Sequence, residues 1–194
     1  MTGVQTCALP ILRLEVASAA FVRLKERRRT LAGRTGCGLC GTDSLDQVHR
    51  PLPPVPALTL APRALCEAQR ALRGEQSVQQ LTGASHAAAW CRPDGQVVLV
   101  REDIGRHNAL DKLVGALARS GLPAGEGFIC ITSRASFEMV QKTAMAGVGL
   151  LAAVSAPTAL AVDTAQAAGL ALAGFVRGDD LVAYTFPERL GLEP

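Results

Sequence analysis

Aromatic residues are scarce in this chain: one Trp, one Tyr and five Phe make up 4% of its 194 residues. A core of stacked rings is excluded, so the 48% of hydrophobic residues must build it mainly from Ala, Leu and Val. No stretch approaches the roughly 20 apolar residues of a membrane span. The first residues, MTGVQTCALPILRLEVASAAF, lack a basic leading segment and are interrupted by Arg13 and Glu15, which is unlike a secretory signal. The net charge of +3 is too mild to imply nucleic acid. The six cysteines, at 7, 37, 40, 66, 91 and 130, are too scattered for a secreted disulfide framework. A reducing cytoplasm suits them better. Cys91 and Cys130 fall in apolar runs and read as buried thiols.

What the chain does have is one concentrated feature. Lys25, Arg27, Arg28, Arg29 and Arg34 fall within ten positions, and they lead into Gly-Cys-Gly-Leu-Cys-Gly at 36–41. Such a patch favours anionic small molecules or an acidic partner surface. The Cys37/Cys40 pair supplies two of the four ligands a zinc site needs, and His49, His86 and His107 lack partner spacing. A thioredoxin-type pair would open a helix after a strand, whereas glycines flank these thiols and PLPPVPA (51–57) follows. The composition favours a mobile loop whose thiolate is stabilised by nearby arginines.

The rest of the chain reads as alternating elements. Residues 12–24 suggest a strand and then a charged segment. Pro51–Ala57 is an extended connector, and 62–80 a helix with Pro62 in its first turn. AAAWC (87–91) and QVVLV (96–100) form a hairpin about Pro93-Asp94-Gly95. Helices are expected at 106–119, 136–146 and 158–169, and strands at 127–132, 150–155, 170–175 and 181–185. Helices crossing between apolar strands imply an α/β sheet with a parallel part, covered on both faces.

Ligands of such sheets bind beyond the carboxyl ends of the strands. Three polar segments fall there: REDIGRHNALDK (101–112), TSRASFE (132–138) and FVRGDD (175–180). Arg106, His107 and Asn108 open a helix, and helix N-termini attract anions. The structural alternative is Asp103 as cap and Arg106 paired with a carboxylate. Ser133 and Arg134 could hold phosphate at a strand-to-helix turn, with Ser136 as N-cap. FVRGDD could pair an aspartate with a guanine edge and an arginine with phosphate, or could simply be a surface turn.

The segments LKERRRTLAGRTGCGLCG, LTGASHAAAW, EDIGRHNALDKLVG, SRASFEMVQKTAMAGV, AVSAPTALAV and GFVRGDDLVAYTFPERL together resemble the FdhD family of formate dehydrogenase accessory sulfurtransferases. The resemblance runs from about Phe21 to about Leu190. It implies a three-layer α/β/α, cytidine-deaminase-like fold with a mixed sheet. It also implies sulfurtransferase activity. A cysteine desulfurase would load a persulfide onto the loop, and the sulfur would pass to the molybdenum cofactor, bis-molybdopterin guanine dinucleotide, for formate dehydrogenase. By motif, Cys37 matches the persulfide-bearing thiol and Cys40 its partner. Phe175, Val176, Arg177, Gly178, Asp179 and Asp180 match the cofactor-binding segment. Arg106, His107, Ser133 and Arg134 are added from loop position alone. No structural metal, nucleic acid or membrane is expected, and the family's habit is a homodimer.

The resemblance also implies a strand-rich N-terminal region that this chain largely lacks. Residues 1–11 match no part of the family and are expected to be disordered, with Cys7 outside the functional set. Residues 12–60 are then an N-terminal remnant with the Cys-x-x-Cys loop and the connector, and 61–194 the cofactor-binding domain. An alternative class is a non-catalytic chaperone that holds the cofactor while the cysteines only clamp it.

Overall fold

The computed structural model describes residues 17–19, 21, 22 and 51–193. Ser18, Ala19, Phe21 and Val22 are helical, correcting the strand expected in 12–24. The Ala-rich Ala17–Ala20 stretch favours a helix. The Cys37/Cys40 box and residues 1–11 lie outside the described residues.

Six strands form one mixed sheet: β1 (His86–Cys91), β2 (Val97–Asp103), β3 (Phe128–Ile131), β4 (Leu150–Ala153), β5 (Ala171–Arg177) and β6 (Asp180–Thr185). Their order is β2-β1-β3-β4-β5-β6, with β3, β4 and β5 parallel and the other neighbours antiparallel. The β1–β2 hairpin turns at Pro93-Asp94-Gly95. Gly95 has φ 91°, and a Cβ there would lie 2.8 Å from the Ala64 carbonyl oxygen. β1 is poor in β-formers, yet Ala87, Ala88 and Ala89 are all buried, because small side chains let helices approach both faces.

One face carries α1 (Pro62–Gly74), whose Leu65, Ala68 and Leu72 pack on Ala87, Ala89, Phe128, Cys130, Leu150 and Ala152. The short α2 (Ser77–Thr82) follows it. The other face carries α3 (Arg106–Ser120), α4 (Phe137–Met145) and α5 (Ala159–Ala168) over Trp90, Ile129, Ile131, Leu151 and Leu172. The result is a three-layer α/β/α sandwich. Burying a single Leu of this core contributes about 2 kcal/mol.

The helix expected over 62–80 is two helices. α1 stops at Gly74, and Gln76 sits between them with φ −86° and ψ 77°. Leu81, in α2, is 88% exposed rather than packed on the sheet. A half-buried carboxylate explains the break. Glu102 accepts from the Val78 and Gln79 N–H groups at 2.9 and 3.0 Å, which ties the start of α2 to β2. β2 itself runs on to Asp103, beyond the strand expected to end at residue 100, because Arg101, Glu102 and Asp103 pair with Ala88, Ala87 and His86 of β1.

The connector at 51–60 has no helix, as its prolines require. It crosses the edge of the sheet where β3 and β4 begin. The Val55 N–H reaches the Ala168 carbonyl at 3.4 Å, and the Leu60 N–H reaches that of Arg189 at 3.0 Å. Gly149 is required there, because a Cβ would overlap the Pro56 carbonyl oxygen.

Candidate functional site

The opposite edge collects the polar segments. β3 runs into Thr132–Arg134, β4 into Val154–Ser155 and β5 into Arg177, while the antiparallel hairpin brings Asp103 and His86 to the same side. Backbone bonds tie these loops together. The Thr158 N–H donates to the Ala135 carbonyl at 3.0 Å, and the Phe175 N–H to that of Ser155 at 3.4 Å. Arg177 Nε donates to the Val154 carbonyl at 2.8 Å.

The turn after β2 is built on Asp103. Its carboxylate accepts from the Gly105 N–H at 2.9 Å and from Asn108 Nδ2 at 3.2 Å, and it pairs with Lys112 at 2.5 Å. The Lys112 ammonium, then these two donors, hold its carboxyl down at about 2. Gly105, not Asp103, is the cap residue of α3. Arg106 pairs with no carboxylate among the described residues, and its Nε is buried without a partner. His107 is 5% exposed, and its Nδ1 is also without a partner. Burial is the main cause that pushes its imidazole below the usual histidine value. Arg106 adds to that and the nearby Glu138 opposes it.

Ser133 is buried, and its hydroxyl donates to the Arg134 carbonyl at 3.1 Å, whereas the Arg134 side chain is exposed. Ser136 is the N-cap residue of α4, yet its hydroxyl makes no cap bond and is buried without a partner. The equivalent Thr158 on α5 does cap, accepting from the Ala161 N–H at 3.2 Å.

FVRGDD is the β5–β6 hairpin. Gly178 takes φ 59° in the turn, and Arg70 on α1 holds the turn from beneath. Arg70 donates to the Gly178 carbonyl at 3.2 Å and to Asp179 at 2.8 Å. Val176 is fully buried, so this residue of the sequence-predicted set does not face a ligand. Arg177 and Asp180 are exposed. Phe175 adopts φ 51° where β5 leaves register, and its ring is 40% exposed. A bulky residue in this left-handed region costs about 1 kcal/mol or more, and such strain gathers at functional sites.

Six buried side-chain N or O atoms lack a partner among the described residues. Five lie at this edge: Gln69 Oε1, Gln76 Nε2, Arg106 Nε, His107 Nδ1 and Ser136 Oγ. Each costs about 1–3 kcal/mol if nothing satisfies it. Their concentration marks the edge as a place built to meet a polar ligand. Arg70 and Gln76 carry no motif signal in the sequence; they join the edge because α1 and the break between α1 and α2 lie beneath it. The buried thiols are of another kind. Burial pushes Cys130 well above the ordinary thiol value, with Cys91 beside it, and burial likewise raises Cys66. None of the three is a ready nucleophile.

A profile described as the FdhD/NarQ family matches residues 4–191, so the match reaches into residues 1–11, which the sequence reading had placed outside the family. The chain belongs to the FdhD/NarQ family. The relative named sulfur carrier protein FdhD in Variovorax paradoxus (strain S110) is 67% identical over 180 residues, 92% of this chain. The protein of the same name in Bordetella petrii is 56% identical over 185 residues, 95% of this chain. This chain spans 65% and 66% of the lengths of those two relatives. The crystal structure of a protein described as a formate dehydrogenase accessory protein, from Desulfotalea psychrophila, matches at TM-score 0.68 and 22% identity. The match covers 74% of this chain and 62% of that one, and it supports the fold. The FdhD/NarQ membership and the three-layer sandwich with its mixed sheet both agree with the reading of the sequence.

Proposed function

We propose that this FdhD/NarQ protein is a sulfur carrier for formate dehydrogenase maturation. It accepts persulfide sulfur from a cysteine desulfurase on Cys37 and passes it to bis-molybdopterin guanine dinucleotide held over the strands' carboxyl ends. The observation that carries this reading is the concentration of unpartnered buried polar atoms beside the 101–108, 132–136 and 175–180 loops. That edge fits a large anionic cofactor. Arg177, Arg134 and Arg106 offer positive charge, the start of α3 offers N–H groups, and Asp180 can accept from a guanine edge. The names of the relatives and the Cys-Gly-Leu-Cys box support the sulfur chemistry.

The steps balance. The Cys37 thiolate attacks the outer sulfur of the desulfurase persulfide, forming a Cys37 persulfide and releasing the desulfurase thiolate. Attack of the Cys40 thiolate on the inner sulfur of that persulfide then forms a Cys37–Cys40 disulfide and releases sulfide, which the metal takes as ligand. A cellular dithiol reduces the disulfide. This cycle belongs in the cytoplasm, where thiols stay reduced. We take the working form to be a homodimer, as in the family.

Mass spectrometry after incubation with a desulfurase and cysteine tests the first step. The expected result is one added sulfur atom on the peptide holding Cys37, lost in Cys37→Ala. Sulfur on another peptide, or none, overturns it. If Cys37→Ala still binds cofactor and activates formate dehydrogenase, the protein is a non-catalytic cofactor chaperone instead.

A further inference from the structure

β2 is the outermost strand of the sheet, and its sequence does not suit that place. Val97, Val98, Leu99 and Val100 form a continuous apolar run, the pattern of a strand covered on both faces. Ala89, Trp90 and Cys91, which pair with Val100, Leu99 and Val97, are buried, whereas the whole β2 run is only half-buried.

The peptide groups on the outer flank of β2 follow from the pairing. The Ala87 backbone turns towards β3: its N–H donates to Thr132 Oγ1 at 2.8 Å, and its carbonyl accepts from the Thr132 N–H at 3.1 Å. Its cross-strand neighbour Glu102, and by alternation Val100, therefore turn their peptide groups outwards. No described strand pairs with them. Cations cover the two carbonyls instead. Arg101 Nη1 donates to the Val100 carbonyl at 2.7 Å, and Lys112 Nζ to that of Glu102 at 3.1 Å. Cations placed this way keep a bare strand from pairing at random.

Along this flank, between β2 and α3, runs a groove of about 690 Å³ lined by Leu99, Arg101, Lys112, Gly115 and Arg119, among others. The lining has three cations and no carboxylate. The acids of the neighbourhood are already engaged, Asp103 by Lys112 and Asp111 by Lys142. Arg101 and Arg119 are exposed and have no ion-pair partner among the described residues. Gly115 leaves the floor open, since a Cβ there would meet nothing within 4 Å.

We propose that the β2–α3 groove docks an acidic, extended segment of a partner protein, which joins the sheet as a strand beside β2. Its carboxylates draw Arg101 and Lys112 off the Val100 and Glu102 carbonyls and pair with Arg119. The freed carbonyls and their N–H groups then bond the segment's backbone. A neutral strand has nothing to offer the displaced cations, so charge selects the partner. A second copy of this chain does not fit, because two-fold contact of this flank with itself sets cations against cations. Nucleic acid would satisfy the cations but has no peptide groups for the strand. The inference does not depend on the cofactor reading.

Fluorescence anisotropy of a labelled, strand-length peptide of alternating Glu and Val, titrated with the full chain, is the test. The wild type should bind it roughly tenfold or more tighter than the same peptide with Ser for Glu, and the affinity should fall as salt rises. Arg119→Glu turns an attraction into a repulsion and should weaken binding roughly tenfold. Gly115→Leu, which places a side chain in the open groove, should weaken it as much. Both variants should keep the wild-type melting temperature and the binding of GDP, a stand-in for the cofactor's nucleotide. Hydrogen exchange at the Val100 and Glu102 amides should slow when the peptide is bound. Equal affinity for the two peptides, no binding of either, unchanged binding in both variants, or protection elsewhere overturns the proposal. Equally tight binding of oligo-dT overturns it too, since the groove is then a bare cation patch. So does a dimer that Gly115→Leu dissociates, since the flank is then a contact between copies.

Discussion

The two edges of the sheet are built on opposite principles. Where β3 and β4 begin, the proline connector lies against glycines, Pro56 beside Gly125 and Gly149, and Trp90 Nε1 donates to the Ala124 carbonyl at 3.1 Å. Fit is close there and the indole N–H is matched, although Phe186, just after β6, takes φ 52°. At the far edge the backbone is strained at Phe175, and Ser136, His107, Arg106 and Gln76 have polar atoms with nothing to bond. What separates the two edges is the unpartnered buried polar atoms, five of six of which gather at the second, as a binding surface needs.

The contrast can be broken at several points. Gly149→Ala should have the largest effect, since its Cβ would overlap the Pro56 carbonyl and force the connector off the sheet. Overpacking of this kind costs about 3 kcal/mol. The urea midpoint should fall while GDP affinity in the surviving folded protein stays unchanged. A weakened affinity would mean the two edges are coupled.

Asp103→Asn comes next. The folded carboxyl, near 2, lies below its ordinary 3.8, so ionised Asp103 stabilises the fold above about pH 4, and that gain disappears as the pH falls towards 2. The variant should lose about 1–2 kcal/mol at neutral pH, after allowance for the half-exposed Lys112 partner, and nothing near pH 2. Denaturation curves at both pH values check this.

Thr158→Ala and Ser136→Ala form a matched pair. The first removes a made cap and should cost about 1 kcal/mol. The second removes a buried hydroxyl that bonds nothing, and should be neutral or slightly stabilising in the free protein. Equal losses in the two variants would contradict the reading of Ser136 as a group held for a ligand.

The smallest effect concerns His107. Its folded value is below the ordinary 6.5, so the unfolded chain takes up the proton first and stability falls as pH drops below about 6.5. His107→Gln should remove at most one proton's share of that slope, about 1.4 kcal/mol per pH unit. Urea midpoints of the two proteins between pH 7.5 and 5.5 should diverge accordingly; parallel curves would show that His107 titrates normally.

Much of this was legible in the chain. The Asp-Gly hairpin, the strand–helix alternation after residue 106 and the stop at Gly169 follow from local turn chemistry and periodicity, which act over a few residues. Local rules failed at 62–82. Periodicity ran one helix through the segment, and a carboxylate on β2, about 25 residues on, broke it by capturing the amides of Val78 and Gln79. They also missed Arg70, Arg73 and Gln76.

The sequence by itself determined the family, the order of the elements and the three polar segments, because each is written in contiguous residues. Only the tertiary structure decided that those segments share one edge, that Val176 faces inward, and that Arg73 at the end of α1 and the orphan amide of Gln76 just after it lie at a cavity beside them. Strand order and register are set by long-range packing on both faces of the sheet, and side chains distant along the chain become neighbours only once that packing is complete.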